Sequence, residues 1–287
     1  MYRKYWNLRD LPFLNVTDDR LVYMTDQHQE GLARLVFLIS EGRMAGMLSG
    51  PLGVGKSLTL ELLSHHAAKI QLPVIRMDAI PGGTLPMARY LLRLLGQEEV
   101  PQTLPDALML LQIYSQSTPN AVRRLLLLDE AHYLATDDGY YFAHYLCNLR
   151  ISEKSGHHEQ PLFTLVLAGT ERLRETVNEY ESLRRRVQLD WVLAPLDQRQ
   201  TLEYVQLRIR GVSGDMWIFS EDALSEIYTW SAGIPRNINH LCDTALMLGY
   251  AAQVSQISRA IIRQAAMDTG LDQRQGREET LQERTHL

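Results

Sequence analysis

Gly50-Pro51-Leu52-Gly53-Val54-Gly55-Lys56-Ser57 fits the phosphate-binding pattern G-x-x-x-x-G-K-[ST], and each constrained position has a physical reason. Glycines let backbone N–H groups curl around an anion at a closeness that a side chain would forbid. Lys56 brings a point charge to the outer phosphates of a nucleotide, and Ser57 offers a hydroxyl ligand to Mg2+. After the loop, Leu58, Leu62, Leu63 and Ile70 recur at helical spacing. The loop therefore opens a helix whose N-terminal dipole favours phosphate. Upstream, Met44 to Ser49 is a short apolar strand. Strand, glycine loop and helix in succession predict a nucleotide site with contacts from Gly50, Pro51, Gly53, Val54, Gly55, Lys56, Ser57 and Leu58.

The loop needs an acidic partner, and Leu125-Leu126-Leu127-Leu128-Asp129-Glu130 supplies it. Four consecutive leucines are too few for a membrane span and read as a buried parallel strand. Asp129 falls at the C-terminal edge of that strand, where open α/β sheets bind ligands, and is expected to hold the magnesium through water. Glu130 is the candidate base that polarises the attacking water. An ordinary core strand ending in an acidic turn would look the same in isolation. The glycine loop upstream favours the catalytic reading.

Composition sets the class. A chain of 287 residues can bury a large core and is long enough for two domains. Its net charge of -5 gives no general attraction to nucleic acid or to an anionic membrane. The two cysteines, Cys147 and Cys242, lie far apart and show no metal spacing. No run approaches 18 apolar residues, and Met1-Tyr2-Arg3-Lys4-Tyr5-Trp6 lacks the apolar core of a signal peptide. These features predict a cytoplasmic protein with reduced thiols and no membrane span.

Along the chain, strands and helices alternate as far as Pro195, which predicts an α/β fold with a parallel sheet covered on both faces. The first 25 residues read as irregular. Thr25 or Asp26 caps a helix carrying Leu32, Leu35, Val36 and Ile39. Further strands are expected at Pro73–Met77 and Leu162–Leu167. Helices are expected at Leu85–Leu95, Asp106–Ser115 and Tyr140–Arg150, with a turn at Ile80-Pro81-Gly82-Gly83 and a polar loop from Ser152 to Gln160. After Pro195 only helices follow. Asp197 with Gln200 forms a capping box, and Ser220 caps a second helix that Gly233 stops. A third helix starts at Arg236 and a fourth near Ser258. The expected domains are an α/β nucleotide-binding domain with an N-terminal extension (1–195), a helical lid (196–269) and a disordered tail rich in Gln, Glu and Arg (270–287).

Taken in order, these motifs resemble the AAA+ ATPases, a P-loop NTPase group, and within them the ExeA/GspA-type ATPases of the general secretion pathway. The likeness runs from about Tyr5 to Met267. It includes Tyr5-Trp6-Asn7-Leu8 with Pro12-Phe13, Leu21-Val22-Tyr23-Met24-Thr25 leading to His28, Leu128-Asp129-Glu130-Ala131-His132, and Leu167-Ala168-Gly169-Thr170. The most family-specific segment is Gly233-Ile234-Pro235-Arg236-Asn237-Ile238-Asn239 with Leu241-Cys242-Asp243.

The resemblance implies further roles. Thr170 becomes a sensor of the outer phosphate or the water. Arg236, at the start of a lid helix, becomes a second sensor, and Pro235, Tyr23 and Leu21 line the adenine. In Arg184-Arg185-Arg186 it implies an arginine donated to a neighbouring subunit's nucleotide, with Arg185 or Arg186 as the finger; a solvated basic turn is the plain alternative. Homo-oligomers, as rings or filaments, follow from such a finger. Full-length secretion ATPases of this type continue into a membrane span and a peptidoglycan-binding domain, whereas this sequence closes on a charged tail.

Two functions remain open at this point. One is an oligomeric ATPase that remodels or regulates a partner protein of a secretion or envelope assembly. The other is a regulator resembling the transposition ATPases TnsC and TniB, forming an ATP-dependent filament on duplex DNA. A strip of Arg172, Arg174, Arg184, Arg185 and Arg186 would carry the DNA contacts. The missing membrane span favours this second reading, and the acidic net charge opposes it.

Overall fold

The computed structural model describes residues 2–15, 19–79, 83–117, 122–135, 139–152 and 159–271. Its contacts divide the chain into two units, one of Asp26–Pro51 with Gly55–Leu193 and one of Met1–Thr25 with Leu52–Val54 and Ala194–Leu287.

The first unit is built on five parallel strands. These are β1 (Ala45–Ser49), β2 (Val74–Asp78), β3 (Arg124–Asp129), β6 (Phe163–Gly169) and β7 (Val187–Val192), in the spatial order β2-β3-β6-β1-β7. Leu125, Leu126 and Leu127 are fully buried and Leu128 is 1% exposed, as expected for a central strand covered on both faces. Each such burial is worth roughly 1.5–3 kcal/mol, an upper bound given a compact unfolded chain. Register sets Asp78 beside Asp129 and Ser49 beside Gly169. The C-terminal ends of β3, β6 and β1 thus come out together, where the topology puts a ligand.

Helices α2 (Asp26–Ser40), α3 (Lys56–Lys69), α4 (Thr84–Leu94), α5 (Leu104–Ser117), α6 (Gly139–Asn148), α7 (Glu171–Glu179) and the short α8 (Glu181–Arg184) complete this unit. Several buried faces differ from the sequence reading. In α3 the buried stripe is Lys56, Thr59, Leu60, Leu63 and Ala67, with Ile70 half exposed. In α2 it is His28, Gly31, Leu35, Leu38 and Ile39, because the Trp191 ring of β7 presses on Gly31. The helix read as Tyr140–Arg150 ends at Asn148, and Arg150 opens β4 (Arg150–Ser152), antiparallel to β5 (Glu159–Pro161). Most of the expected polar loop between them lies outside the described residues, as do residues 80–82 of the expected turn and 272–287 of the expected tail.

The second unit packs α9 (Gln198–Gly211), α10 (Glu221–Ser231), α11 (Pro235–Ala251) and α12 (Arg259–Asp268). The capping box is present: the Asp197 side chain accepts from the Gln200 amide at 2.7 Å, and Gln200 accepts from the Asp197 amide at 3.0 Å. Ser220 caps α10 through the Ala223 amide at 3.3 Å. That helix stops one residue earlier than expected, at Ala232 in the left-handed region, with Gly233 following.

Residues 2–15 and 19–25 are not a loose extension. They form α1 (Tyr2–Tyr5) and bury Trp6, Leu8, Phe13 and Leu21 in the core of the helical unit. The Trp6 indole donates to the Leu246 carbonyl at 2.9 Å, and buried Arg208 donates to the carbonyls of Pro12, Leu14 and Leu21. The sequence reading attached this segment to the α/β domain, whereas its contacts group it with the helices. Among the described residues, no helix is long and apolar enough to cross a membrane.

Candidate nucleotide site

Gly50, Gly53 and Gly55 have φ of 151°, 86° and 120°, so the loop adopts the curled backbone its composition calls for. A Cβ on Gly53 would lie 2.6 Å from the Arg236 Cβ. The Arg236 amide donates to the Gly53 carbonyl at 3.3 Å, so the start of α11 touches the loop at its glycine. Pro235 is the first residue of α11, where its missing N–H is harmless. Gly55 lies against buried His28 of α2, whose Nε2 would be 3.1 Å from a Cβ there. The exposed Leu52 and the buried Val54 fill the variable positions of the loop, and Pro51 and Leu58 are partly buried.

Lys56 is 6% exposed, and its Nζ donates to the carbonyls of Gly50 at 2.8 Å and Pro51 at 2.9 Å. Ser57 follows at the first turn of α3, and its Oγ donates to Asp129 Oδ2 at 3.2 Å. The loop and the β3 strand end thus meet through a hydroxyl and a carboxylate. Both are hard oxygen donors, and a magnesium ion usually adds phosphate and water oxygens to one or two such protein ligands. The pair fits that ion.

Glu130 follows Asp129 with φ of 51°, a left-handed conformation that costs a non-glycine residue about 1–2 kcal/mol. Two hydrogen bonds hold the turn: the Glu130 amide donates to Asp129 Oδ1 at 3.0 Å, and the Glu130 carbonyl accepts from the Tyr133 amide at 3.0 Å. The Glu130 carboxylate lies 3.3 Å from His132 Nδ1, which is buried without a hydrogen-bond partner among the described residues. The His132 ring leans on Tyr133 with centroids 4.3 Å apart. Thr170 occupies the N-cap of α7, yet its hydroxyl makes no capping hydrogen bond. It emerges from β6, between the loop strand and the Asp129 strand.

Several other expected residues have partners of their own. The Tyr23 hydroxyl donates to Glu203 Oε2 at 2.6 Å and the ring meets Tyr204 edge-on, which engages it with α9. Arg185 pairs with Glu181, while Arg186 Nη2 and Nε donate to Asn148 Oδ1 at 2.8 and 3.1 Å. Arg184 has no such partner among the described residues. Arg174 pairs with Asp190 at 2.8 Å. Burial pushes the Cys147 thiol up to about 12 and the Cys242 thiol well above its ordinary value, so neither is a reactive thiolate. Sequence reasoning assigned no role to His132, His28 or Arg76. The first two stand in quoted motifs, but what they touch depends on tertiary register.

Sheet order, loop and acidic strand end together define the class: a P-loop NTPase fold of the AAA+ type, with a helical C-terminal region. Residues 39–177 match the family model of the AAA domain. Over 276 residues the chain is 27% identical to General secretion pathway protein A of Aeromonas hydrophila, covering 93% of this chain and 48% of that protein. The chain spans about half the length of this curated relative.

Solved structures share the fold at low identity. ORC2 of Aeropyrum pernix in ADPNP–ADP complexes has a TM-score of 0.66 at 16% identity, over 89% of this chain and 71% of that one. Drosophila ORC bound to DNA has 0.68 at 16%, over 90% and 63%. Cdc6p from Pyrobaculum aerophilum has 0.67 at 15%, over 90% and 70%.

Proposed function

We propose that this chain is an ATPase that assembles with copies of itself and uses hydrolysis to remodel or regulate a partner assembly, as an ExeA/GspA-type protein would. The observation that supports this most is the Ser57–Asp129 hydrogen bond, which joins the loop to the end of β3, with Lys56 and Glu130 next to them in sequence. In this reading Gly50–Leu58 holds the phosphates, and Tyr23, Pro235 and Arg236 complete the nucleotide contacts. Ser57 and Asp129 hold Mg2+, which supplies charge neutralisation at the phosphates. Lys56 trades two backbone carbonyls for phosphate oxygens, an easy exchange for a flexible ammonium. Glu130 orients the attacking water and accepts its proton. His132 orients Glu130, and the Thr170 hydroxyl reports on the outer phosphate. Arg185 or Arg186 serves a neighbouring subunit.

A DNA-binding filament is the rival, and solved structures of this fold include ORC bound to DNA. Against it, the net charge of -5 gives no general attraction to nucleic acid. Measuring ATP turnover with and without duplex DNA at two salt concentrations separates the two. A DNA-independent rate supports the proposal, and a DNA-stimulated rate that falls steeply with salt supports the rival.

A further inference from the structure

Asp129 is a buried carboxylate with more donors than its role in a metal site requires. Oδ1 takes the Glu130 amide, while Oδ2 takes both the Ser57 hydroxyl and the Arg76 guanidinium, each at 3.2 Å. Arg76 stands on β2, paired in register with Leu127, and reaches two residues forward to the strand end. The two partners differ in surroundings. The Asp129 side chain is 8% exposed and that of Arg76 is 41% exposed. One is a fixed anion and the other a cationic arm with an open path to water.

We propose that Arg76 is a placeholder cation at the metal position. It neutralises Asp129 while no divalent ion is there and gives up Oδ2 when one binds. This rests on Ser57 and Asp129 being the pair that holds the metal. A buried carboxylate without a counter-charge is strongly unfavourable, so an empty site needs a substitute. A half-exposed ion pair is also weak enough to be displaced. Both cations seek the same oxygen, so Arg76 sets how much divalent ion the site demands before it fills.

The test uses Mn2+ as the probe, with free Mn2+ followed by its paramagnetic resonance signal, for the full chain with ADP. Arg76→Gln should lower the Mn2+ midpoint by up to about 5-fold, the scale of an exposed ion pair. Arg76→Lys should stay near the parent. In EDTA without nucleotide, Arg76→Gln should melt below the parent, and the difference should close once Mn2+ and ADP are added.

A raised midpoint in Arg76→Gln would overturn the proposal, because Arg76 would then orient Asp129 for the metal. An unchanged midpoint would also overturn it, leaving an ordinary surface ion pair. Failure of the underlying reading looks different: Asp129→Asn would then bind Mn2+ as well as the parent does.

Discussion

Lys56 and Arg208 are both buried cations, 6% and 4% exposed, and both donate to backbone carbonyls. They serve opposite purposes. Lys56, in the α/β unit, is a point charge on a flexible stem, resting on Gly50 and Pro51 of the loop that would receive a phosphate. Arg208, in the helical unit, is a planar fork whose nitrogens fan out to Pro12, Leu14 and Leu21, a set that no ligand would replace. The same electrostatic problem is solved once by a group that can change partners and once by a group that cannot. The choice of lysine or arginine follows from that difference.

The largest expected effect concerns a third kind of cation, one that the proposed function pairs with the nucleotide of another copy of the chain. Replacing Arg185 and Arg186 together by alanine should remove a rise in ATPase rate with protein concentration. That rise is worth roughly 10³–10⁵ in related phosphoryl transfers, and nucleotide affinity should stay nearly intact. Mixing this variant with Glu130→Gln should restore part of the rate. A concentration-independent parental rate would remove this class from the comparison.

Lys56→Ala should weaken ATP binding by about 100-fold or more, the scale of removing a charge from a desolvated pair. Its melting temperature should move little, because the resting contacts of Lys56 are exchangeable. Parental affinity in a calorimetric titration would show that the loop does not bind phosphate. Glu130→Gln sharpens the same point. It should bind ATP as the parent does while single-turnover hydrolysis slows by about 100-fold, the general-base contribution.

Arg208→Ala should invert the Lys56 result, lowering stability by about 2–3 kcal/mol as three carbonyls lose a charged donor. Arg208→Lys should recover less than half of that, since one ammonium cannot span three divergent acceptors. Full recovery in a denaturant titration would mean that charge, not fork geometry, is what matters there. The smallest effect is expected from His132→Asn, a several-fold loss in turnover with unchanged ATP affinity, as befits a residue acting through Glu130. A loss of affinity instead would place His132 in direct contact with the nucleotide.

The parts of the molecule that were legible in the sequence are those whose signal is local. The glycine loop, the leucine run of β3, the capping box at Asp197 and the Ser220 cap each declare themselves within eight residues. Strand β7 was missed because an edge strand buries only one face. Its Val187–Val192 stretch alternates between half-buried and exposed residues, and beside three arginines it reads as surface. Helix α7 buries only Leu173 and Val177, too little apolar content to mark a helix. Arg76 gains its meaning only from the β2–β3 register, and Arg208 only from where Pro12, Leu14 and Leu21 lie. Neither relation leaves a mark in the neighbouring residues.

The indole partner of Trp6, the Leu246 carbonyl, lies 240 positions later in the chain. At about 5–20 residues per second, synthesis leaves that apolar ring without its place for roughly 10 to 50 s. The α/β unit, whose strands all precede Leu193, can close during that wait, while the helical core stays open until nearly the last helix has emerged. For this chain the order of synthesis and the order of assembly run in different directions, and Trp6, Leu8 and Phe13 are made long before the helices whose core receives them.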